Sequence, residues 1–148
     1  MVFERTLLAG WADMDFNSHM RNSAYLDKCS DIRMLFFEEN GFPMAEFRRL
    51  RFGPVIKNDT MEYFREVQIM ESLRVTLCCT GLAGDGSRFR LRNEIWRPDG
   101  QLSARVTSTG GWLNFDARKL VRPPEELLRA MVSLEPAADF EVLPSSIK

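Results

Sequence analysis

The chain is poor in the residue types on which many small catalytic or secreted scaffolds depend. It has one histidine (His19), three cysteines and no excess of either charge, with Lys+Arg of 20 against Asp+Glu of 21 for a net charge of -1. An odd cysteine count excludes a fully paired disulfide framework. Cys78 and Cys79 are adjacent, which on a strand sends them to opposite faces, and Cys29 falls in a helical pattern, so all three read as reduced, buried thiols. One histidine and no cysteine pair at ligand spacing leave no zinc site, and any histidine-based triad would depend on His19. The sequence has no Gly-x-Ser-x-Gly elbow, no phosphate loop and no Gly-x-Gly-x-x-Gly after a strand; Gly84-Asp85-Gly86 belongs to a turn. With no run long enough to span a bilayer, no signal peptide and no global field, the expectation is a cytoplasmic protein with neither membrane nor nucleic acid as partner, and with no metal or resident cofactor.

What is present is concentrated between Trp11 and Phe42. Asp13, Asp15, Asn17, His19 and Asn22 crowd a turn just before an amphipathic segment in which Tyr25, Cys29, Ile32 and Phe36 recur at helical spacing, with Leu26 and Leu35 widening the stripe. Asn22 or Ser23 serves as an N-cap, and Gly41 with Pro43 reads as a C′ residue and a stop. The spacing predicts a helix from about Ser23 to Asn40, roughly 27 Å long.

From Gly53 onward the period becomes two. Met61, Tyr63, Val67 and Ile69 share one parity, as do Leu73, Val75, Leu77 and Cys79; Phe89, Leu91 and Ile95 alternate with Arg88, Arg90 and Arg92. Turns fall at Gly81–Gly86 and Pro98-Asp99-Gly100. Between Leu102 and Phe115 the apolar parity shifts from Ala104 and Val106 to Leu113 and Phe115, which predicts a bulge or bend at Gly110-Gly111. A short helix near Pro124–Met131 and a weakly patterned tail from about residue 132 complete one expected domain over 1–148. The order strand, long helix and four-stranded meander is α+β, a curved antiparallel sheet wrapped around one central helix, with a sheet face or edge left for a second copy.

A carboxylate beside a helix N-terminus suits acyl transfer. Unpaired N–H groups bind an oxyanion, and the carboxylate attacks a carbonyl or activates water; a thioester is a suitable target because it is already activated. Aspartate at its ordinary pKa of about 3.9 is a weak base, so desolvation or a like charge, which Asp13 could supply, must raise it. The same Asp-x-Asp spacing also forms solvated Asx turns, and an alternating arginine row is also an ordinary solvated strand face.

Asp13-Met14-Asp15-Phe16-Asn17-Ser18-His19-Met20-Arg21-Asn22-Ser23-Ala24-Tyr25 resembles the Asp-x-Asp-x-x-Gly-His-x-Asn-Asn-x-x-Tyr signature of hotdog-fold acyl-CoA thioesterases of the hydroxybenzoyl-CoA thioesterase type. Arg33, Glu62-Tyr63-Phe64-Arg65 and Arg97-Pro98-Asp99-Gly100 with Ala104 extend the resemblance to about Val2–Met131. It implies a hotdog fold and hydrolysis of an acyl-CoA or acyl-carrier-protein thioester, with coenzyme A entering only as part of the substrate. It makes Asp15 the nucleophile or general base and the backbone N–H at Asn22 the oxyanion donor. Asp13, His19, Arg21 and Tyr25 become loop supports or substrate contacts. It further implies a homodimer or homotetramer with the site at the subunit interface, and CoA phosphates met by Arg88–Arg92 or by Arg48, Arg49 and Arg51. This chain departs from the pattern at Ser18 (usually glycine), Arg21 (asparagine), Ser30 (often glutamate) and Glu66 (often proline). Those departures keep a non-catalytic acyl-CoA-binding module as an alternative. A hotdog hydratase is the weaker one, because Asn17 and His19 are one residue too close for its Asp-x-Asn-x-x-His pattern.

Overall fold

The computed structural model of the protein describes residues 2–147. A strand, β1 (Phe3–Leu8), leads through one 3-10 turn (Trp11–Asp13) and a loop into α1 (Asn22–Glu39). Then come α2 (Met44–Leu50), β2 (Phe52–Tyr63), β3 (Ser72–Ala83), β4 (Arg88–Trp96), β5 (Leu102–Asn114), β6 (Lys119–Val121), α3 (Glu125–Ser133) and β7 (Pro136–Leu143). The weakly patterned tail thus supplies a strand.

The apolar stripe of α1 does what its spacing predicts, since Tyr25, Cys29, Ile32 and Phe36 are all buried against the sheet. Ile32 and Phe36 each contribute roughly 1.5–3 kcal/mol. The helix stops in a Schellman motif. Gly41, at φ 86°, donates its N–H to Glu38 O at 3.2 Å, and Phe42 N–H reaches Phe37 O at 2.8 Å. At the other end the expectation of an Asn22 or Ser23 cap is corrected. Asn22 is already helical, and the N-cap is Arg21, in an extended conformation and with no side-chain cap.

The sheet runs β1-β3-β4-β5-β2, with β6 beside β5 and β7 parallel to β3. Leu73, Val75, Leu77 and Cys79 of β3 and Phe89, Leu91 and Ile95 of β4 are buried, as the alternation predicts. Three expectations are corrected. The meander has three strands rather than four: β1 and β7 occupy the far edge of β3, so β2 pairs with β5 from Phe52 opposite Asn114 to Tyr63 opposite Ala104. The strand drawn through Val67 and Ile69 ends at Tyr63, because the following backbone pairs with the loop before α1: Met20 N–H reaches Val67 O at 2.9 Å and Met70 N–H reaches Ala9 O at 2.7 Å. The parity of β5 never changes, with Ala104, Val106, Ser108 and Trp112 all buried and Leu113 partly exposed. The irregularity sits across from Gly110, in β2 between Ile56 and Asn58. A Cβ on Gly110 would lie 2.1 Å from the Val55 carbonyl oxygen, so glycine permits the close approach and the partner strand absorbs the bulge.

Arg33 ties α1 to the sheet. Its Nε and Nη2 donate to Asn93 Oδ1 at 3.0 and 2.8 Å, and Nη2 also donates to Ser108 Oγ at 2.6 Å. The cysteines are free, with Cys29 and Cys79 buried; burial pushes the Cys29 thiol up to about 12.

Candidate active site

The loop from Ala9 to Arg21 is fixed from below by Asp13. One carboxylate oxygen, Oδ2, accepts the Gly10 N–H and the Lys28 ammonium, each at 2.8 Å, while the Asp13 carbonyl accepts Arg21 N–H at 2.8 Å. Burial pushes the Asp13 carboxyl up, but the Lys28 ammonium and the Gly10 N–H outweigh it and hold the group below its ordinary value. Asp13 therefore lends no repulsive charge to Asp15, contrary to the like-charge expectation: its charge is already paired.

Asp15 sits at the top of the same loop, exposed. Its Oδ1 accepts the N–H groups of Asn17 at 2.8 Å and His19 at 3.1 Å, which is an Asx turn, while its own N–H bonds His19 O at 2.7 Å. Oδ2 has no hydrogen-bond partner among the described residues, so one oxygen orients the carboxylate and the other is free for chemistry. The turn closes through Ser18 at φ 66°, a left-handed conformation costing about 1–2 kcal/mol for a residue with a Cβ. That explains why glycine is the usual residue there.

Asp15 borders two cavities. One, of about 320 Å³, is lined also by His19, Asn22, Tyr25, Tyr63 and Glu66; the other, of about 440 Å³, by Trp11, Met14, Phe16 and Ile69. The first contains the open end of α1. Because Arg21 provides no side-chain cap, the N–H groups of Asn22 and Ser23 meet no acceptor among the described residues, and they carry the positive end of the helix dipole. His19 Nε2 lies 3.0 Å from Glu66 Oε2, and the Tyr25 ring stands edge-on to Tyr63 at 5.2 Å. Burial raises the Tyr25 phenol, so it stays a neutral donor.

Four of the six predicted site residues, Asp15, His19, Asn22 and Tyr25, thus share one cavity. Asp13 lies beneath it, and Arg21 turns away, donating to Ala12 O at 3.2 Å and Ser23 Oγ at 2.8 Å. Four of the six arginines expected to meet phosphate are already paired, Arg90 with Glu141, Arg92 with Asp139 and Arg51 with Asp116, each at 2.7 Å, and Arg49 with Glu46 at 2.6 Å; Arg88 reaches only Ser146 Oγ at 3.4 Å, and Arg48 has no ion pair among the described residues. Residues that the sequence reading did not place here are Tyr63, Phe64, Arg65 and Glu66, which line the Asp15 cavity. The Glu-Tyr-x-Arg match was the available signal, but it said nothing about which loop that segment would meet. Among the described residues no group of three His, Cys, Asp or Glu side chains is placed to hold a metal ion.

The arrangement of one long helix in a curled antiparallel sheet is shared with solved structures. A hypothetical protein from Staphylococcus aureus, in complex with CoA, superposes with a TM-score of 0.81 at 19% identity, covering 99% of this chain and 92% of that one. A 1,4-dihydroxy-2-naphthoyl-CoA thioesterase from Synechocystis gives 0.81 at 18% identity, over 90% of this chain and 98% of that one. A DHNA-CoA thioesterase from Staphylococcus aureus gives 0.80 at 15% identity, over 88% and 89% respectively. At such identities the likeness shows the fold, which is the hotdog fold. No curated protein matches the sequence significantly. The model of the thioesterase-like superfamily, however, matches residues 9–131, from the loop that carries Asp15 into α3, and the chain belongs to that superfamily.

Proposed function

We propose that the protein hydrolyses acyl-CoA thioesters, or the same thioester on an acyl carrier protein, to free acid and thiol. The observation that carries this reading is the free Oδ2 of Asp15 in the same cavity as the uncapped N-terminus of α1. The thioester carbonyl oxygen accepts the backbone N–H at Asn22, and the helix dipole stabilises the charge that develops as the carbonyl becomes tetrahedral. Asp15 either adds to the carbonyl carbon, giving an anhydride that water opens, or takes a proton from the attacking water; in both cases water is consumed and the thiolate leaves to be protonated. Tyr25 and the His19–Glu66 pair line the same cavity. The likeness to a protein solved with CoA and to CoA thioesterases supports CoA as the thiol carrier.

The site is open in one chain, and Trp11 at 84% and Phe16 at 101% exposure flank Asp15. A second copy covering them would exclude water from the carboxylate, so the working form is a homodimer or a dimer of dimers. The test is thiol release from a panel of short, long and aromatic acyl-CoAs. Asp15→Asn should lower turnover roughly a thousandfold with an unchanged melting temperature; full activity in that variant sinks the mechanism. Saturable acyl-CoA binding without thiol release across the panel would establish the non-catalytic alternative.

A further inference from the structure

The cavity that holds Asp15 contains a pair of side chains that the hydrolysis described so far does not use. His19, the only histidine of the chain, places Nε2 3.0 Å from Glu66 Oε2, and both residues line that cavity. Glu66 stands where the resemblance often has proline, which would offer the ring no acceptor. Its backbone is pinned along its length. The Glu66 carbonyl accepts Arg97 Nη1 at 3.1 Å, the Arg65 carbonyl before it accepts Ser103 Oγ at 2.7 Å, and the Val67 carbonyl after it accepts Met20 N–H at 2.9 Å. The carboxylate is therefore held against the ring from a fixed backbone. His19 in turn holds Asp15 by main-chain bonds only: its N–H reaches Asp15 Oδ1 at 3.1 Å, and its carbonyl accepts Asp15 N–H at 2.7 Å. The imidazole takes no part in that turn.

An alkyl thiolate leaves a tetrahedral carbon more readily when its sulfur receives a proton, and the groups lining this cavity differ in whether they can supply one. Asp15 must be ionised to act, and Arg65 never releases its proton. Burial raises the phenols of Tyr25 and Tyr63, which makes them weaker acids still. Histidine is the side chain suited to exchanging a proton near neutral pH. With Nε2 against Glu66, the proton that moves is the one on Nδ1, a nitrogen that no described residue engages.

We propose that His19 is a catalytic residue, the general acid that protonates the departing thiol, and that Glu66 is the positioning residue that orients its ring. The inference rests on the thioester hydrolysis proposed above. As the carbon–sulfur bond breaks, its electron pair stays on sulfur and takes the Nδ1 proton of the imidazolium; the imidazole regains a proton from the water whose hydroxyl completes the acid. One water is thus divided between acid and thiol.

The test varies the leaving group. For the acyl group hydrolysed best in the panel above, kcat/KM is measured on the CoA thioester and on the 4-nitrothiophenyl ester, whose thiolate departs without a proton. The proteins are the wild type, His19→Gln, Glu66→Ala and Glu66→Gln. His19→Gln keeps both main-chain bonds to Asp15 and should lower kcat/KM roughly a hundredfold on the CoA ester, but by no more than about threefold on the aryl ester. Glu66→Ala should cost about tenfold on the CoA ester, and Glu66→Gln, which still offers the ring an acceptor, less; both defects should vanish on the aryl ester. Equal losses on the two esters, which a purely structural role would give, no loss in His19→Gln, or an aryl ester that the wild type leaves intact overturns the proposal. Each of those results leaves hydrolysis by Asp15 standing, whereas no turnover of any thioester overturns the hydrolase reading and this one with it.

Discussion

The two ends of α1 are built on opposite principles. At its C-terminus the backbone is closed off: Asn40 Nδ2 bonds Phe36 O at 2.8 Å, Gly41 and Phe42 complete the Schellman motif, and Phe37, Phe47, Phe52 and Phe89 gather around the fully buried Trp112. At its N-terminus no side chain caps the helix, the side chain of Arg21 points away, and Asn22, whose N–H is unpaired, borders a cavity beside a half-free carboxylate. A helix end left unsatisfied next to one fully satisfied shows where stability resides and where binding is kept available.

The largest expected effect comes from breaking the closed end. Trp112→Ala should cost about 3–5 kcal/mol in urea unfolding, from the lost burial and the orphaned Gly86 carbonyl that now accepts its indole N–H at 2.9 Å. Breaking the support of the open end should cost less: Lys28→Met removes the partner of Asp13, and about 2 kcal/mol of stability at neutral pH should go with it. The sign of its pH dependence follows from Asp13. A carboxyl held below its ordinary 3.8 contributes stability that is complete above that value and lost as pH falls through the lower folded value. The acid limb of the melting curve should therefore be steeper in the wild type than in Lys28→Met. The smallest change should make the two ends alike. Arg21→Asp installs a cap that competes for the free N–H groups, so the melting temperature should rise by an amount equivalent to about 1 kcal/mol while thiol release falls. A capped helix with undiminished turnover would exclude the backbone N–H groups as oxyanion donors.

Sequence made the helix legible because its stripe, its C-terminal glycine and its proline are local signals. The alternations of β3 and β4 were legible for the same reason. Pairing was not, since whether β2 lies beside β3 or β5 depends on which edges β1 and β7 occupy, and the apolar Leu113 and Phe115 suggested a parity that Trp112 and the close contact at Gly110 override. In the candidate site, Asp15 and the helix start stood together in one segment and were readable. Tyr63 to Glu66 were not, because backbone bonds such as Met20 N–H to Val67 O bring that stretch in from far along the chain. The cap was misread since Asn22 has the right chemistry in the wrong conformation.

The β4 arginine row looks different once β7 is in place. Arg90–Glu141 and Arg92–Asp139 are rungs joining strands about fifty residues apart, to a strand whose own side chains are mostly exposed. So long a connection with so little apolar return makes β7 the strand expected to lose its place first when the protein is destabilised. Its rungs are surface ion pairs, so ionic strength acts on this strand, as it does on β1, which Arg74–Glu4 ties to β3. Added salt should therefore raise amide exchange in β7 before the central strands open.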